Sequence, residues 1–125
     1  MMKELILKKC TDCGAIVKVV NDCECDNCGI MCCGKEMVEI KPNSTDAVIE
    51  KHVPTYEIID DKIVVRVNHV MDSDHYIEWI CFVTEDSEEY TYLKPNSEAI
   101  ATYDKKEGTL YSYCNKHGLW IQEVN

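Results

Sequence analysis

The amino-acid sequence predicts an all-β protein, in which a small cysteine-rich domain precedes a β-sandwich. Three observations lead to this fold class. No segment of the chain shows a sustained helical period of apolar residues. Short runs of β-branched and aromatic residues recur at intervals of roughly ten residues in the second part of the chain, which is typical of a sandwich. Seven of the nine cysteines lie in the 24 residues from Cys10 to Cys33.

The N-terminal domain is predicted to span residues 1–41 and to depend on a bound metal. Its apolar runs, residues 5–7 and 16–20, are short and flank turn-forming residues around the cysteines. A segment of about 40 residues rarely buries enough apolar surface to fold alone, and a metal can supply the missing stability. Residues 42–46, Pro-Asn-Ser-Thr-Asp, indicate a linker. The second domain is therefore expected at residues 47–125.

The second domain contains six recognisable strand segments. The first two flank the predicted turn Asp60-Asp61-Lys62, as expected for a hairpin. The third is a long β-branched and aromatic run, in which Ile77, Trp79 and Cys81 are predicted to share one face. The six segments are residues 56–59, 63–67, 75–84, 90–93, 99–103 and 110–114.

Charge and hydrophobicity exclude several classes of protein. The chain has a net charge of −10, which disfavours nucleic acid because such binding depends on cationic contacts to phosphates. No apolar stretch approaches the roughly 18 residues of a membrane span. The first nine residues lack the apolar core of a signal peptide. Since nine cysteines cannot all pair within one chain, we expect a reduced, cytoplasmic, metal-binding protein.

The cysteines of the N-terminal domain allow more than one metal site. Cys10-x-x-Cys13 lets one turn present two sulfurs, and Cys32-Cys33 can complete a tetrahedral site for iron or zinc. Cys25-x-x-Cys28 is a second good ligand pair, which together with Cys10 and Cys13 would form a ribbon-type site. The additional cysteines, Cys23, Cys25 and Cys28, are alternatively predicted to bind a second ion or to form a redox-sensitive disulfide.

All four histidines lie downstream of residue 50, where they accompany one cysteine near the C-terminus. Four imidazoles and one thiolate form a nitrogen-rich donor set that suits a borderline metal such as iron, copper or zinc. The alternative interpretation is a few surface histidines and a buried cysteine. The five candidate ligands are His52, His69, His75, Cys114 and His117.

Several segments of the chain resemble known metalloprotein motifs. Glu50-Lys51-His52-Val53-Pro54, the stretch His69-Val-Met-Asp-Ser-Asp-His75 and the stretch Cys114-Asn-Lys-His-Gly-Leu-Trp are similar to active-site segments of the superoxide reductases. Cys10-Thr-Asp-Cys13-Gly and Cys32-Cys33-Gly resemble the desulforedoxin-type domain of the two-iron members, the desulfoferrodoxins. The resemblance extends from about residue 9 to residue 120.

The resemblance implies a seven-stranded immunoglobulin-like sandwich, a homodimer and two iron sites. One iron, with zinc as the alternative metal, would be bound by the four sulfurs of Cys10, Cys13, Cys32 and Cys33. The other would have four equatorial imidazoles, those of His52, His69, His75 and His117, and the axial thiolate of Cys114.

The same resemblance implies an enzyme that reduces superoxide to hydrogen peroxide by one electron, supplied by a small donor such as rubredoxin. Glu50 would occupy the sixth position of the oxidised iron, and Lys51 would attract the anion. A thiolate is a strong electron donor to iron, whereas zinc has no redox chemistry and is excluded from this role. Cys81 is predicted to be a core residue, and Tyr76, Trp79 and Trp120 are predicted to serve packing.

Two other functions remain consistent with the residues. One is an electron-transfer protein whose second iron has no superoxide reductase activity. The other is a zinc-stabilised interaction module without catalysis. Metal content and colour separate them, since iron in both domains gives a coloured protein and zinc a colourless one.

Overall fold

The computed structural model describes residues 4–25, 29–44 and 51–125. Three features singled out in the sequence, Cys28, Glu50 and the predicted start of the second domain at residue 47, lie outside the described residues. Backbone contacts divide the chain into one compact unit from Glu4 to Lys41 and a second from Pro42 to Asn125.

The N-terminal unit is built from very short strands around two turns. Strands β1 (Leu7–Lys9), β2 (Ile16–Lys18) and β5 (Val38–Glu39) form an antiparallel sheet in the order β2-β1-β5. Strands β3 (Met31–Cys32) and β4 (Lys35–Glu36) form a separate hairpin. Few apolar side chains of the described residues are buried in this unit, namely Leu5, Leu7, Cys10, Val19 and Met37. So small a core is consistent with a unit stabilised by metal.

The second unit is an antiparallel β-sandwich of seven strands among the described residues. Strands β6 (Thr55–Ile59), β7 (Lys62–Arg66) and β10 (Ile100–Asp104) form one sheet in the order β10-β7-β6. The other sheet, in the order β12-β11-β8-β9, contains β8 (Ile77–Val83), β9 (Glu88–Tyr92), β11 (Gly108–Cys114) and β12 (Gly118–Val124). The first, second and fifth strands thus form one sheet, as in immunoglobulin-like folds. The all-β prediction is confirmed.

The two sheets enclose a common hydrophobic core. Ile63 and Val65 of β7 and Ile80 and Leu110 of the opposite sheet are fully buried in one cluster. Burying a side chain of this size is worth about 1.5–3 kcal/mol. This packing fixes the ends of β7, β8 and β11 relative to one another.

A β-bulge corrects one prediction about the third strand segment. Tyr113 pairs with Trp79 but the next residue, Cys114, pairs with Ile77, so the register shifts across Glu78. Ile77 therefore joins the core between the sheets, while Trp79 stacks on Tyr113 outside that cluster. The prediction that Ile77, Trp79 and Cys81 share one face was wrong, because a bulge breaks the alternation of strand residues.

Cys81 is fully buried, as predicted for a core residue. The part of the chain that the structure describes contains no helix with the length and apolar character needed to cross a membrane.

Candidate metal centres

Five side chains from distant parts of the sequence meet at one end of the sandwich. They lie where strands end or in the adjoining loops, so the packed sheets hold them in place. Each offers one ligand atom, and the five atoms lie within 4.8 Å of one another. The members of this cluster, the His-Cys cluster, are His52, His69, His75, Cys114 and His117. The structure thus brings together all five of the ligands predicted for the catalytic iron.

The four imidazoles form a closed ring, in which each has two neighbours. The ring centroids are separated by 4.6 Å for His52–His69, 4.7 Å for His69–His75, 5.0 Å for His75–His117 and 4.9 Å for His117–His52. Neighbouring rings are steeply inclined to each other, by 68–89°. Such a ring directs four nitrogen atoms toward one centre.

The distances between ligand atoms fit a single ion. The Nε2 atom of His52 lies 3.0 Å from Nδ1 of His117 and 3.2 Å from Nε2 of His69. Two nitrogens bound at right angles, each about 2.05 Å from one metal, would lie about 2.9 Å apart. The Sγ atom of Cys114 lies 3.5 Å from Nε2 of His69 and 3.8 Å from Nδ1 of His117.

Contacts around the ligands hold two of the histidines. The Nδ1 atom of His69 is 2.5 Å from the carbonyl oxygen of Val70. When Nδ1–H donates to this oxygen, the lone pair of Nε2 is available to bind a metal. His52 stacks on Trp120 with ring centroids 4.9 Å apart. The hydroxyl of Ser112 donates a hydrogen bond of 2.6 Å to the carbonyl oxygen of His52.

Sequence reasoning assigned only packing to Trp120 and nothing to Ser112. Trp120 is buried, as predicted, but its Nε1 also donates to the carbonyl oxygen of His117 at 3.1 Å. A signal for Trp120 was its position three residues after a candidate ligand. The sequence contains no comparable signal for Ser112, because its contact depends on strand register.

For two of the four imidazoles, those of His69 and His75, the surroundings favour the neutral form that binds a cation. Burial lowers the pKa of His69 and of His75, and the positive charges of Lys51 and Lys116 contribute to the lowering at His69 and His75 respectively. The Nε2 atom of His75 is buried and has no hydrogen-bond partner among the described residues. A buried polar atom of this kind needs a partner, and a metal ion supplies one. The donor set suits iron.

The His-Cys cluster opens to the surface through a cavity of 460 Å³. Lys51 is exposed and lines this cavity together with the four ligand histidines, Val70 and Asp72. The cavity gives a small anion access to the ligand atoms. Of the two predicted catalytic residues, Lys51 lies beside the ligands, and Glu50 lies outside the described residues.

A second cluster, the four-cysteine cluster, lies in the N-terminal unit. Its sulfur atoms, those of Cys10, Cys13, Cys32 and Cys33, lie within 4.8 Å of one another. The Sγ atoms of Cys13 and Cys32 are 3.6 Å apart. These are the cysteines that the family resemblance implied as ligands of the N-terminal metal, in place of the ribbon-type set.

Two tight turns present these sulfurs. Gly14 and Cys33 adopt positive φ angles of 80° and 54°, a region that non-glycine residues adopt infrequently. An ion pair of 3.0 Å between Lys35 and Asp12 joins the two turns. This ion pair thus connects the two ligand-bearing turns independently of the sulfur atoms.

The surroundings of the four-cysteine cluster favour ionisation of one thiol and oppose that of another. Backbone N–H groups of Cys13 and Asp12 lower the pKa of Cys10 to about 7. The neighbouring sulfurs of Cys13 and Cys10 raise the pKa of Cys32 to about 12. A divalent metal would offset the repulsion among four thiolates, which supports a tetrathiolate site for iron or zinc.

Of the additional cysteines, the two that the structure describes, Cys23 and Cys25, do not join the four-cysteine cluster. Cys25 is disulfide-bonded, so its sulfur is not a thiolate ligand in this structure. Among the alternatives left open by the sequence, this favours a disulfide over the ribbon-type site. Cys28 lies outside the described residues.

Comparison with known proteins identifies the family of this chain. The profile of the family described as Desulfoferrodoxin matches residues 44–123. A desulfoferrodoxin of Syntrophotalea carbinolica is 36% identical over 128 residues, which cover 98% of this chain and 99% of that protein. A superoxide reductase of Thermococcus kodakarensis is 36% identical over 99 residues, covering 60% of this chain and 86% of that protein.

The fold has a counterpart among solved structures. The crystal structure of the superoxide reductase from Treponema pallidum superimposes with a TM-score of 0.73, covering 96% of this chain and 99% of that one, at 22% identity. At this identity the likeness supports the fold alone.

Proposed function

This chain belongs to the desulfoferrodoxin family, and we propose that it is a superoxide reductase that converts superoxide to hydrogen peroxide. The reaction consumes one superoxide, one electron and two protons for each hydrogen peroxide formed. The observation that carries the proposal is the closed ring of four imidazoles with one thiol against it, at the base of an open cavity. Relatives named superoxide reductase support the substrate.

The residues of the His-Cys cluster fit the iron of such an enzyme. We propose that the four histidines and Cys114 bind it, and that Lys51 attracts the substrate. When bound, iron with five protein ligands supplies a one-electron couple and an open coordination position. As a ligand, the buried Cys114 would supply a thiolate, which is a strong electron donor to iron. Glu50 remains a proposed ligand of the oxidised iron.

Lys51 offsets the charge of the chain at the place where the substrate enters. Superoxide is an anion and the chain has a net charge of −10. Charges farther away than a Debye length of roughly 8–10 Å are largely screened at physiological salt. Lys51, which lines the cavity together with Asp72, therefore has more influence on the encounter than the carboxylates farther away.

We propose in addition that the four-cysteine cluster binds a second iron, with zinc as the alternative metal. Residues 1–41 would then form the desulforedoxin-like domain and residues 47–125 the catalytic domain. Further parts of the proposal are a rubredoxin-like electron donor, a homodimer and a cytoplasmic location. They rest on the family, and the reaction at the His-Cys cluster does not depend on them.

The stoichiometry of the reaction tests the proposed function. Reduced, iron-loaded protein is mixed with superoxide, and peroxide and oxygen are measured. A reductase gives one peroxide for each superoxide and evolves no oxygen, whereas a dismutase gives one peroxide and one oxygen for every two superoxides. An electron-transfer protein without this activity would leave the spontaneous decay of superoxide unchanged. Either of the last two results would refute the proposal.

We predict that Lys51→Ala slows the bimolecular reaction with superoxide roughly tenfold, within the range of about 10- to 1,000-fold known for electrostatic steering. The variant should keep its iron and the spectrum of its reduced site, because Lys51 is not a ligand. Rapid mixing over a range of ionic strengths provides the measurement. Added salt should slow the unmodified protein and affect the variant much less.

Lys105→Ala provides a control with the same change in net charge. Lys105 is exposed, and its backbone N–H donates to the carbonyl oxygen of Asp61 in the β6–β7 turn. It lies at the end of β7 opposite to the end that leads to His69. We expect no change in its rate. Equal rates for Lys51→Ala and unmodified protein at low salt would show that Lys51 does not steer the substrate.

A further inference from the structure

We propose that Asn115 is a positioning residue, which fixes the ligand His75 relative to Cys114. The side-chain oxygen Oδ1 of Asn115 accepts a hydrogen bond of 3.0 Å from the backbone N–H of Tyr76. Its side-chain Nδ2 donates a bond of 3.0 Å to the carbonyl oxygen of Asp74. The amide thus binds the backbone immediately before and immediately after His75. It follows Cys114 directly in the sequence, so one residue connects two ligand segments.

Backbone pairing ends before it reaches His75. The ladder between β8 and β11 finishes at the pair of Ile77 and Cys114, just after the bulge. One further bond of 3.2 Å runs from the N–H of Asn115 to the carbonyl oxygen of Tyr76. His75 itself exchanges backbone bonds with Asp72, which lies in the same loop. Those bonds close the loop but do not attach it to β11, whereas the side chain of Asn115 does.

The orientation of the His75 imidazole depends on this attachment more than the orientations of the His69 and His52 imidazoles do. A hydrogen bond to Val70 orients the ring of His69, and a stacked Trp120 orients that of His52. The ring of His75 has neither kind of support among the described residues: neither ring nitrogen is hydrogen-bonded there, and Nε2 is the nitrogen left for the metal. Its direction toward the centre of the His-Cys cluster is therefore set by where its backbone lies.

Asparagine is suited to this position because its amide offers a donor and an acceptor in one plane, as a peptide group does. Leucine has nearly the same shape and offers neither. Partners in the second shell of a metal site typically change metal affinity by 10- to 100-fold when they are removed. We therefore expect Asn115→Leu to weaken iron binding at the His-Cys cluster by this factor.

A double-mutant cycle tests whether Asn115 acts through His75. Iron(II) is titrated anaerobically into the full-length chain against a competing chelator, for unmodified protein, Asn115→Leu, His75→Ala and the double variant. We expect a loss of about 10- to 100-fold on replacing Asn115 when His75 is present. In the His75→Ala background the same replacement should change iron affinity by less than about threefold, because Asn115 would act on the metal only through His75.

Two further variants make the result decisive. Asn115→Ala replaces Asn115→Leu if the leucine variant does not fold. Asn43→Ala is a control for general stability, because Asn43 also bonds the backbone of this sheet, at Ile121. It should leave iron affinity unchanged. If His75→Ala binds iron too weakly to titrate, the electron paramagnetic resonance of the ferric site decides. A changed signal in the Asn115 variant but not in Asn43→Ala supports the proposal, and an unchanged one overturns it.

An equal loss of affinity in both backgrounds would overturn the positioning role, as would unaltered affinity in folded Asn115 variants. The inference rests on the proposed metal site, yet it can fail independently of the proposed reaction. If unmodified protein binds no iron(II) at the His-Cys cluster, the site itself is wrong. If iron binds but superoxide is not reduced, the reaction is wrong and the cycle still decides the role of Asn115.

Discussion

Replacing Cys114 by serine is expected to abolish superoxide reduction. The Sγ atom of Cys114 is buried and lies within 3.8 Å of nitrogen atoms of His69 and His117. A serine hydroxyl is a harder donor than sulfur and remains protonated at neutral pH, so it cannot replace a thiolate in tuning iron. We expect the loss to exceed the roughly 10- to 100-fold that changes outside the ligand shell cause. Peroxide formation after rapid mixing measures the effect, and metal analysis should show the four-cysteine cluster still loaded.

Cys81→Ser is the matched control for this prediction. Cys81 and Cys114 are both fully buried, on adjacent strands of the same sheet. Both substitutions replace a buried thiol by a hydroxyl, which costs stability where the hydroxyl is left without a hydrogen-bond partner. Cys81 does not belong to the His-Cys cluster, so its variant should reduce superoxide normally wherever it is folded. A turnover rate in Cys114→Ser that equals that of Cys81→Ser would remove the thiolate from the mechanism.

The sequence predicted the ligands better than it predicted the strands that hold them. The confinement of the four histidines to the region beyond residue 50 and the spacing of Cys114 from His117 indicated the five members of the His-Cys cluster, and the family resemblance implied the same set. Strand β12 was not recognised from its residues, although the family resemblance implied a seventh strand. Leu119 and Trp120 are both buried in it. Since the sheet is covered on both faces there, the alternation that marks a half-exposed strand is missing.

Features that depend on strand register could not be predicted from the sequence. The bulge at Glu78 places Ile77 on the core face while Trp79 stays outside the core, and nothing in the local sequence marks the shift. The same applies to Ser112, whose bond to His52 joins residues sixty positions apart. Asn115 lies between two predicted ligands, yet its bonds depend on where the loop before β8 lies. Residue type indicates which side chains can bind a metal. Strand register determines which other residues hold those ligands in position.

Replacing Cys32 and Cys33 by serine should remove metal from the N-terminal unit and leave the His-Cys cluster loaded. These two cysteines supply half of the sulfurs in the four-cysteine cluster. Because the described part of this unit buries few apolar side chains, we also expect it to unfold. Binding of a structural zinc by a small domain is worth about 10–16 kcal/mol, far more than so small a core can replace. Metal content per chain and limited proteolysis of the full-length protein measure both effects.

The matched control replaces Cys25 and Cys28, which make up the other candidate ligand pair. Cys25 is disulfide-bonded, so this variant should keep the N-terminal metal and resist the protease as the unmodified protein does. Superoxide reduction by chemically reduced protein should persist in both variants, because all five ligands of the catalytic site lie beyond residue 50. Retention of N-terminal metal by the Cys32/Cys33 variant, together with its loss from the Cys25/Cys28 variant, would establish the ribbon-type site instead. Loss of superoxide reduction in a variant whose His-Cys cluster remains loaded would show that the four-cysteine cluster takes part in the reaction.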